Sequence, residues 1–142
     1  MMLNQATDYG FRIVLYLSKQ SDGKRIESIE ISEQECIPER FLFKIMRSLS
    51  KAGIVKSYRG VNGGFTLGRR PEHITLLDVV EAIEGPICVN VCFKGENQCN
   101  KKASGFCVVH RELASVRQSI YTSLKNIDFK QLVEKEMVLE SR

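Results

Sequence analysis

Apolar residues recur along much of this chain at the three- and four-residue spacing of amphipathic helices. Residues 5–19 carry apolar side chains on more than one face, which predicts a well-buried first helix. A short second helix is predicted over residues 27–34. A third helix is predicted from Pro38 to residue 52, because proline favours the first helical position and Gly53 favours a left-handed end. The pattern therefore predicts three helices in the first third of the chain.

The predicted third helix has an apolar face and a basic face. Its apolar positions recur at spacings of three and four and are expected to be buried: Phe41, Leu42, Ile45, Met46 and Leu49. Its basic positions recur on the opposite side: Arg40, Lys44, Arg47 and Lys51. A helix with an apolar back and a basic front can lie in the major groove of DNA, which is wide enough to admit it.

A β-hairpin is predicted directly after this helix. Strand-like residues 54–59 and 65–67 flank a glycine-rich stretch at residues 60–64, which permits a tight turn. A hairpin that follows a basic helix is typical of the wing of a winged helix–turn–helix. Arg59, Arg69 and Arg70 would then lie on or near the wing, within reach of phosphates or the minor groove.

The second half of the chain adds helices and a segment without periodicity. Residues 75–84 predict a helix that Gly85 and Pro86 end. A long helix follows residue 107, and its apolar positions form a narrow seam: Val109, Leu113, Val116, Ile120, Leu124 and Ile127. Such a seam suits helix pairing in a homodimer, although it also suits packing on the chain's own domain. Residues 129–137 predict a short terminal helix.

These elements together predict a mainly α fold with a small β wing. Residues 1–86 would form a winged helix–turn–helix DNA-binding domain. Residues 87–107 would form a cysteine loop that binds a metal cluster, as the cysteine pattern described below indicates. Residues 108–142 would form a dimerisation helix and a short C-terminal helix.

The distribution of charge supports a nucleic-acid surface. Residues 39–70 contain eight Lys or Arg and one acid, whereas the rest of the chain has 13 basic and 16 acidic residues. Basic charge concentrated in one segment is the electrostatic pattern of DNA-binding proteins. Charge alone is equally compatible with a solvated face, so the helix and hairpin carry the argument.

The chain has the character of a cytoplasmic protein that is not an enzyme. No stretch approaches the ~20 apolar residues that span a membrane, and no basic leader precedes the first apolar run. Five cysteines, an odd number, without an export signal argue against a disulfide framework. The sequence offers no nucleophile–base pair that could be placed in one pocket.

Four of the five cysteines lie within residues 88–107, and three of them form a candidate metal site. The pattern is Cys92-x6-Cys99-x7-Cys107-x2-His110. Thiolates are the usual ligands of iron–sulfur clusters, and His110 could serve as a fourth ligand one turn after Cys107. A zinc site and a metal-free thiol switch are the alternatives. Cys36 is expected to be a small core residue, and Cys88 has no assigned role.

Four parts of the sequence together carry a family resemblance. They are the run Thr7-Asp8-Tyr9-Gly10, residues 38–69, residues 74–85 and the cysteine triplet that follows. In these the chain resembles the iron–sulfur cluster-binding winged-helix transcriptional regulators of the IscR, NsrR and RirA type. The resemblance implies a winged-helix homodimer on double-stranded DNA at palindromic promoter sites. It also implies that the state of the cluster, under iron, redox or nitric-oxide control, sets DNA affinity.

The resemblance implies two different fourth ligands. A histidine that matches His110 completes a 2Fe–2S site in one branch of the family, and an aspartate that matches Asp8 reaches across the dimer to a 4Fe–4S site in another. This sequence has both residues, and we favour the 2Fe–2S form. The gaps of six and seven residues between the cysteines are longer than those common in the family, so the loop is locally rearranged.

The basic residues divide into two expected roles on DNA. Three are assigned to bases or grooves: Arg40, Lys44 and Arg59. Five are assigned to phosphates: Arg47, Lys51, Lys56, Arg69 and Arg70.

Overall fold

The structure, a computed structural model, describes residues 2–103 and 105–142, without the side chain of Glu96. Its helices are α1 (Gln5–Ser18), α2 (Ser28–Glu35), α3 (Glu39–Lys51), α4 (Leu76–Glu84), α5 (Val108–Lys125) and α6 (Phe129–Glu140). Its strands are β1 (Val55–Tyr58) and β2 (Gly64–Leu67), and short 3₁₀ turns cover Pro71–His73, Val91–Phe93 and Glu96–Gln98. The prediction of a mainly α fold with a small β wing is confirmed.

Helices α1 and α4 each begin at a capped end, and they pack closely because α1 carries a glycine at their contact. The Asn4 side chain accepts a hydrogen bond from the backbone N–H of Thr7 at 2.9 Å. Thr75 and Asp78 form a reciprocal capping box at the start of α4. Gly10 on α1 lies against Ile83 of α4, where a β-carbon would collide with the isoleucine side chain. Helix α1 therefore packs close to α4.

Helix α3 buries most of its predicted apolar face. The buried side chains are Leu42, Ile45, Met46 and Leu49. The prediction that Phe41 is buried was wrong, because its side chain is 43% exposed. Phe41 lies at the edge of the apolar stripe, where the core ends, and its ring contacts the Arg40 guanidinium at 4.8 Å. The helix ends as predicted, since Gly53 follows with φ of +76°.

The two strands form the predicted antiparallel hairpin. Val55 pairs with Leu67 and Tyr58 with Gly64, and the turn closes through a 2.9 Å bond from Gly63 N–H to the Gly60 carbonyl. Ile26, which lies between α1 and α2, forms an isolated antiparallel bridge to Phe65 of β2. This bridge fastens the hairpin to the helical core as a wing.

The long helix α5 has no fully buried residue within the described chain. Ile120 and Leu124, in its C-terminal half, pack against Leu77, Val80 and Ile87. Val109 and Val116, in its N-terminal half, are 58% and 49% exposed. The apolar seam is thus divided, with one half covered by the chain's own α4 and the other half exposed.

The C-terminal helix returns to the core of the winged region. Phe129 at its start is fully buried, and its N–H donates to the Ile74 carbonyl at 3.0 Å. Lys19, directly after α1, and Glu136 of α6 form an ion pair at 3.0 Å. Among the helices of residues 2–103 and 105–142, none has the length and apolar character needed to cross a membrane.

Candidate nucleic-acid interface and cysteine site

All eight predicted DNA-contacting side chains are exposed. Two of them have carboxylate partners: Arg69 lies 3.9 Å from Asp78, and Arg70 lies 3.3 Å from Glu72. Within the described residues, the other six form no ion pair: Arg40, Lys44, Arg47, Lys51, Lys56 and Arg59. These six cations can therefore meet phosphates without first losing an internal partner.

Two hollows flank the wing, and basic residues line one of them. Lys56, Arg69 and Arg70 line a groove of about 390 Å³ on one face of the hairpin, together with Lys24. On the other side, a recess of about 330 Å³ lies between the wing and Phe43 of α3, and its described lining includes Glu27 and no Lys or Arg. Side chains of neighbouring strand residues point to opposite faces, so Lys56 lines the groove and Ser57 lines the recess. Lys24 was not among the predicted residues, because only the bridge at Ile26 brings its loop beside the wing.

The tip of the wing is also held in place by an arginine from that loop. Arg25 donates to the Asn62 carbonyl at 2.8 Å, and its guanidinium lies 3.8 Å from the centre of the Tyr58 ring. Asn62 is in the turn between the strands, so Arg25 stabilises the tip of the wing through both contacts.

In the cysteine loop, the structure brings Cys92 and His110 together. Cys92 lies in the 3₁₀ turn Val91–Phe93, and its Sγ is 3.2 Å from Nδ1 of His110 on the first turn of α5. The Phe93 ring stacks on the imidazole, with 4.5 Å between ring centres. The start of the cysteine loop is therefore docked on the start of the long helix.

A second contact fastens the loop to α5 further along the helix. Arg117 donates from Nε to the Ile87 carbonyl at 2.7 Å, and its guanidinium lies 5.6 Å from the centre of the Phe93 ring. The Phe93 ring thus contacts both His110 and Arg117, which are seven residues apart on one side of the helix.

Cys99 and Cys107 lie elsewhere on the loop. Cys107 is the residue directly before α5, and Cys99 follows the 3₁₀ turn Glu96–Gln98. Backbone N–H groups of Ala103 and Lys101 lower the pKa of the Cys99 thiol by hydrogen bonding, which favours the thiolate. In the part of the chain that the structure describes, no three His, Cys, Asp or Glu side chains gather into a group able to hold a metal ion.

Three other residues considered in the sequence analysis, Asp8, Cys36 and Cys88, lie outside the contact between Cys92 and His110. Asp8 is exposed on α1 and forms an ion pair with Arg12 at 2.7 Å. The expectation that Cys36 is a core residue was wrong, since its side chain is exposed. Cys36 adopts a left-handed conformation (φ of 54°) in the turn between α2 and α3, and its neighbour Ile37 fills the core instead. Cys88 is half-buried beside Glu84 and Lys94.

The chain matches a family of known proteins over most of its length. The family model described as Rrf2, iron-dependent transcriptional regulator, matches residues 3–135. The chain belongs to the Rrf2 family. Rrf2 proteins are transcriptional regulators, so this chain is a regulator and not an enzyme, as predicted.

Individual Rrf2 relatives match over nearly the full length. A protein of Aquifex aeolicus named as an HTH-type transcriptional regulator is 29% identical over 136 residues, which are 96% of this chain and 94% of that protein. The solved structure of CymR, the global cysteine regulator of B. subtilis, is 26% identical with a TM-score of 0.73, covering 95% of this chain and 98% of that one. T. potens IscR is 24% identical with a TM-score of 0.75, covering 96% and 88%, and shows a shared fold.

Replacing Arg47 by Ala in this Rrf2 protein is expected to weaken binding to all DNA sequences alike. Arg47 is exposed on α3, and we assign it to a phosphate. Each lost phosphate contact removes the release of about one counterion, so the log–log salt dependence should become shallower by about one per Arg47 in the complex. Fluorescence anisotropy with duplexes over a range of salt concentrations measures this slope.

The matched control for this prediction is Lys135→Ala. Lys135 is exposed on α6, so its loss removes one positive charge outside the predicted DNA surface. It should leave the slope unchanged. A loss confined to one DNA sequence after Arg47→Ala would contradict the phosphate assignment.

Proposed function

We propose that this Rrf2 regulator senses iron, redox or nitric-oxide status through an iron–sulfur cluster and adjusts its DNA affinity accordingly. The observation that carries the proposal is the 3.2 Å contact between Cys92 Sγ and His110 Nδ1, which joins the cysteine loop to the long helix. Cys92, Cys99 and Cys107 would be the thiolate ligands. His110 would be the fourth in a 2Fe–2S site, which we favour over a 4Fe–4S site completed by Asp8 of the partner subunit.

The donor set fits such a cluster chemically. Cys92, Cys99 and Cys107 are free and half-buried, and thiolates are the preferred ligands of iron–sulfur clusters. Cys107 and His110 are one helical turn apart at the start of α5. When bound, the cluster would supply a centre whose oxidation state and presence respond to the cell. The chain's own part is to hold its ligands at the end of a helix that contacts the winged region.

A path of packed helices connects the ligand site to the DNA surface. Phe93 and Arg117 couple the loop to α5, and Ile120 and Leu124 couple α5 to α4. Helix α4 packs in turn on α3, which carries most of the basic face. A ligand that favours one arrangement of loop and α5 therefore favours one position of α3.

The same helix supports our proposal that the regulator is a homodimer. Val109 and Val116 expose an apolar strip on α5 that the chain's own residues do not cover. Pairing of two such strips would bury both and bring two α3 helices onto one DNA duplex. Half-sites of a palindromic promoter lie about 34 Å apart, one turn of DNA, so small movements of α5 would change the fit.

The alternative sensing mode is a zinc site or a metal-free thiol switch on the same scaffold. The contact of Cys92 with His110 favours it, because a Cys–His pair is also a zinc donor set and a setting for a reactive thiol.

One measurement separates these modes. The protein is purified without oxygen, its absorption spectrum is recorded, and iron, sulfide and zinc are assayed in the same sample. Visible charge-transfer bands with matched iron and sulfide are expected, and their ratio to protein distinguishes 2Fe–2S from 4Fe–4S. A colourless protein without iron, even after attempted reconstitution, would contradict the cluster and leave zinc or the thiol switch.

A further inference from the structure

Three large apolar side chains are exposed around one recess between α3 and the wing. Phe43 on α3, Ile29 on α2 and Val61 at the tip of the wing are 48%, 53% and 101% exposed. All three line the same recess of about 330 Å³, whose rim also includes Glu27. Single exposed apolar residues are ordinary, whereas a cluster of them on a concave surface marks a place of contact.

Phe43 lies on one flank of the basic face of α3. It lies three residues after Arg40 and four before Arg47, so the three side chains are neighbours on the helix surface. Phe41, which is 43% exposed, lies on the other flank of the helix, in a separate recess with Asn4 and Tyr9. Arg40 and Arg47 form no ion pair in the described chain, so a polyanion that they bind would pass close to the Phe43 ring.

The apolar groups of DNA available to such a ring are few. In the major groove, the edges of the bases present hydrogen-bond donors and acceptors, and thymine adds its C5 methyl group. Deoxyribose carbons outside the groove can also contact a phenyl ring, but they are the same at every position and carry no sequence information. A phenylalanine that enters the groove between two arginines is therefore suited to a thymine methyl.

We propose that Phe43 reads the C5 methyl group of a thymine in each half-site of the operator. The inference rests on the proposed placement of α3 in the major groove and adds a base preference to it. Ile29 and Val61 would shield the contact from water on the sides of α2 and the wing. The probe is a duplex enriched from a random library by the full-length protein, in the loading state that binds DNA.

The test replaces each thymidine of the enriched duplex by deoxyuridine, which removes only the methyl group. At one symmetry-related pair of positions, the affinity of the wild-type protein should fall about fourfold for each methyl group removed. This factor corresponds to the free energy of burying one methyl group. The Phe43→Ala variant should bind the thymine duplex more weakly and should no longer distinguish thymine from uracil there. Phe43→Leu, which keeps an apolar side chain, should restore part of the distinction.

The matched control is Phe41→Ala, which removes an equally exposed ring from the other flank of α3 and should keep the full thymine preference. Thermal unfolding of each variant confirms that it is folded. A wild-type protein that is indifferent to every thymine-to-uracil change would overturn the proposal, as would a Phe43→Ala variant that loses equal affinity for both duplexes. A protein that enriches no duplex at all would overturn the placement of α3 itself, and the methyl contact with it.

Discussion

A Cys92→Ser variant, purified without oxygen, is expected to keep less than about a tenth of the wild-type iron and sulfide. Removing a side chain that only hydrogen-bonds to a metal ligand lowers metal affinity about 10- to 100-fold, and removing the ligand itself should lower it further. Cys92 is the thiol that the structure places against His110, so its loss also removes the contact between the loop and α5. The DNA affinity of the variant should equal that of the wild-type protein after removal of its cluster. Iron and sulfide assays and DNA titrations of the same samples check both parts.

The chain provides its own cysteine controls. Cys36 is exposed between α2 and α3, and Cys88 lies outside the triplet, so Cys36→Ser and Cys88→Ser should keep the wild-type iron and sulfide content. His110→Ala should lower that content more than Asp8→Ala does. A larger loss in Asp8→Ala would instead indicate the 4Fe–4S form. Iron retained in the Cys92, Cys99 and Cys107 variants alike would show that the triplet is not the site.

Replacing Gly68 by Ala is expected to lower the free energy of unfolding by about 3 kcal/mol, the upper range for overpacking a close contact. Gly68 lies at the base of the wing, where its N–H donates to the Ile54 carbonyl at 2.7 Å. A β-carbon on Gly68 would collide with the Gly53 carbonyl oxygen and lie 3.4 Å from the Ile54 carbonyl carbon. These are backbone atoms at the junction of α3 and β1, so relief requires the wing to move relative to α3.

Urea denaturation followed by circular dichroism, at one protein concentration and one loading state, measures this loss. DNA affinity should fall in the same variant, because Arg59 and the basic face of α3 would no longer share one orientation. Gly105→Ala is the control, since a β-carbon there meets no atom within 4 Å. A Gly68→Ala variant as stable as the wild type would show that the wing is not held by this contact.

The helices and the wing could be predicted from the sequence because their signals are local. The proline and glycine that bound α3, the threonine cap of α4 and the glycine-rich turn of the hairpin act within a few residues. The structure has these elements within one or two residues of the predicted positions, except that α6 extends to Glu140 rather than ending at residue 137. The Rrf2 family match agrees with the resemblance carried by residues 38–69.

Predictions about burial were weaker where a residue lies at the edge of a pattern. Phe41 has the spacing of a core residue, but it lies where the apolar stripe of α3 borders the basic face. Cys36 has the composition of a core residue, but the turn between two helices needs a left-handed residue at its position, and this turns the thiol outward. In both cases the neighbouring elements, rather than the residue type, set the exposure.

The sequence by itself determined the order of helices and wing, the basic character of α3 and the set of thiols available for a metal, because periodicity, capping and composition are properties of the chain. Only the tertiary structure decided which groups meet. It placed Cys92 beside His110, set Lys56, Arg69 and Arg70 around one groove and gathered Ile29, Phe43 and Val61 around one recess. Those contacts join residues far apart in the chain, and they depend on how α5, the wing and α2 pack rather than on any local pattern.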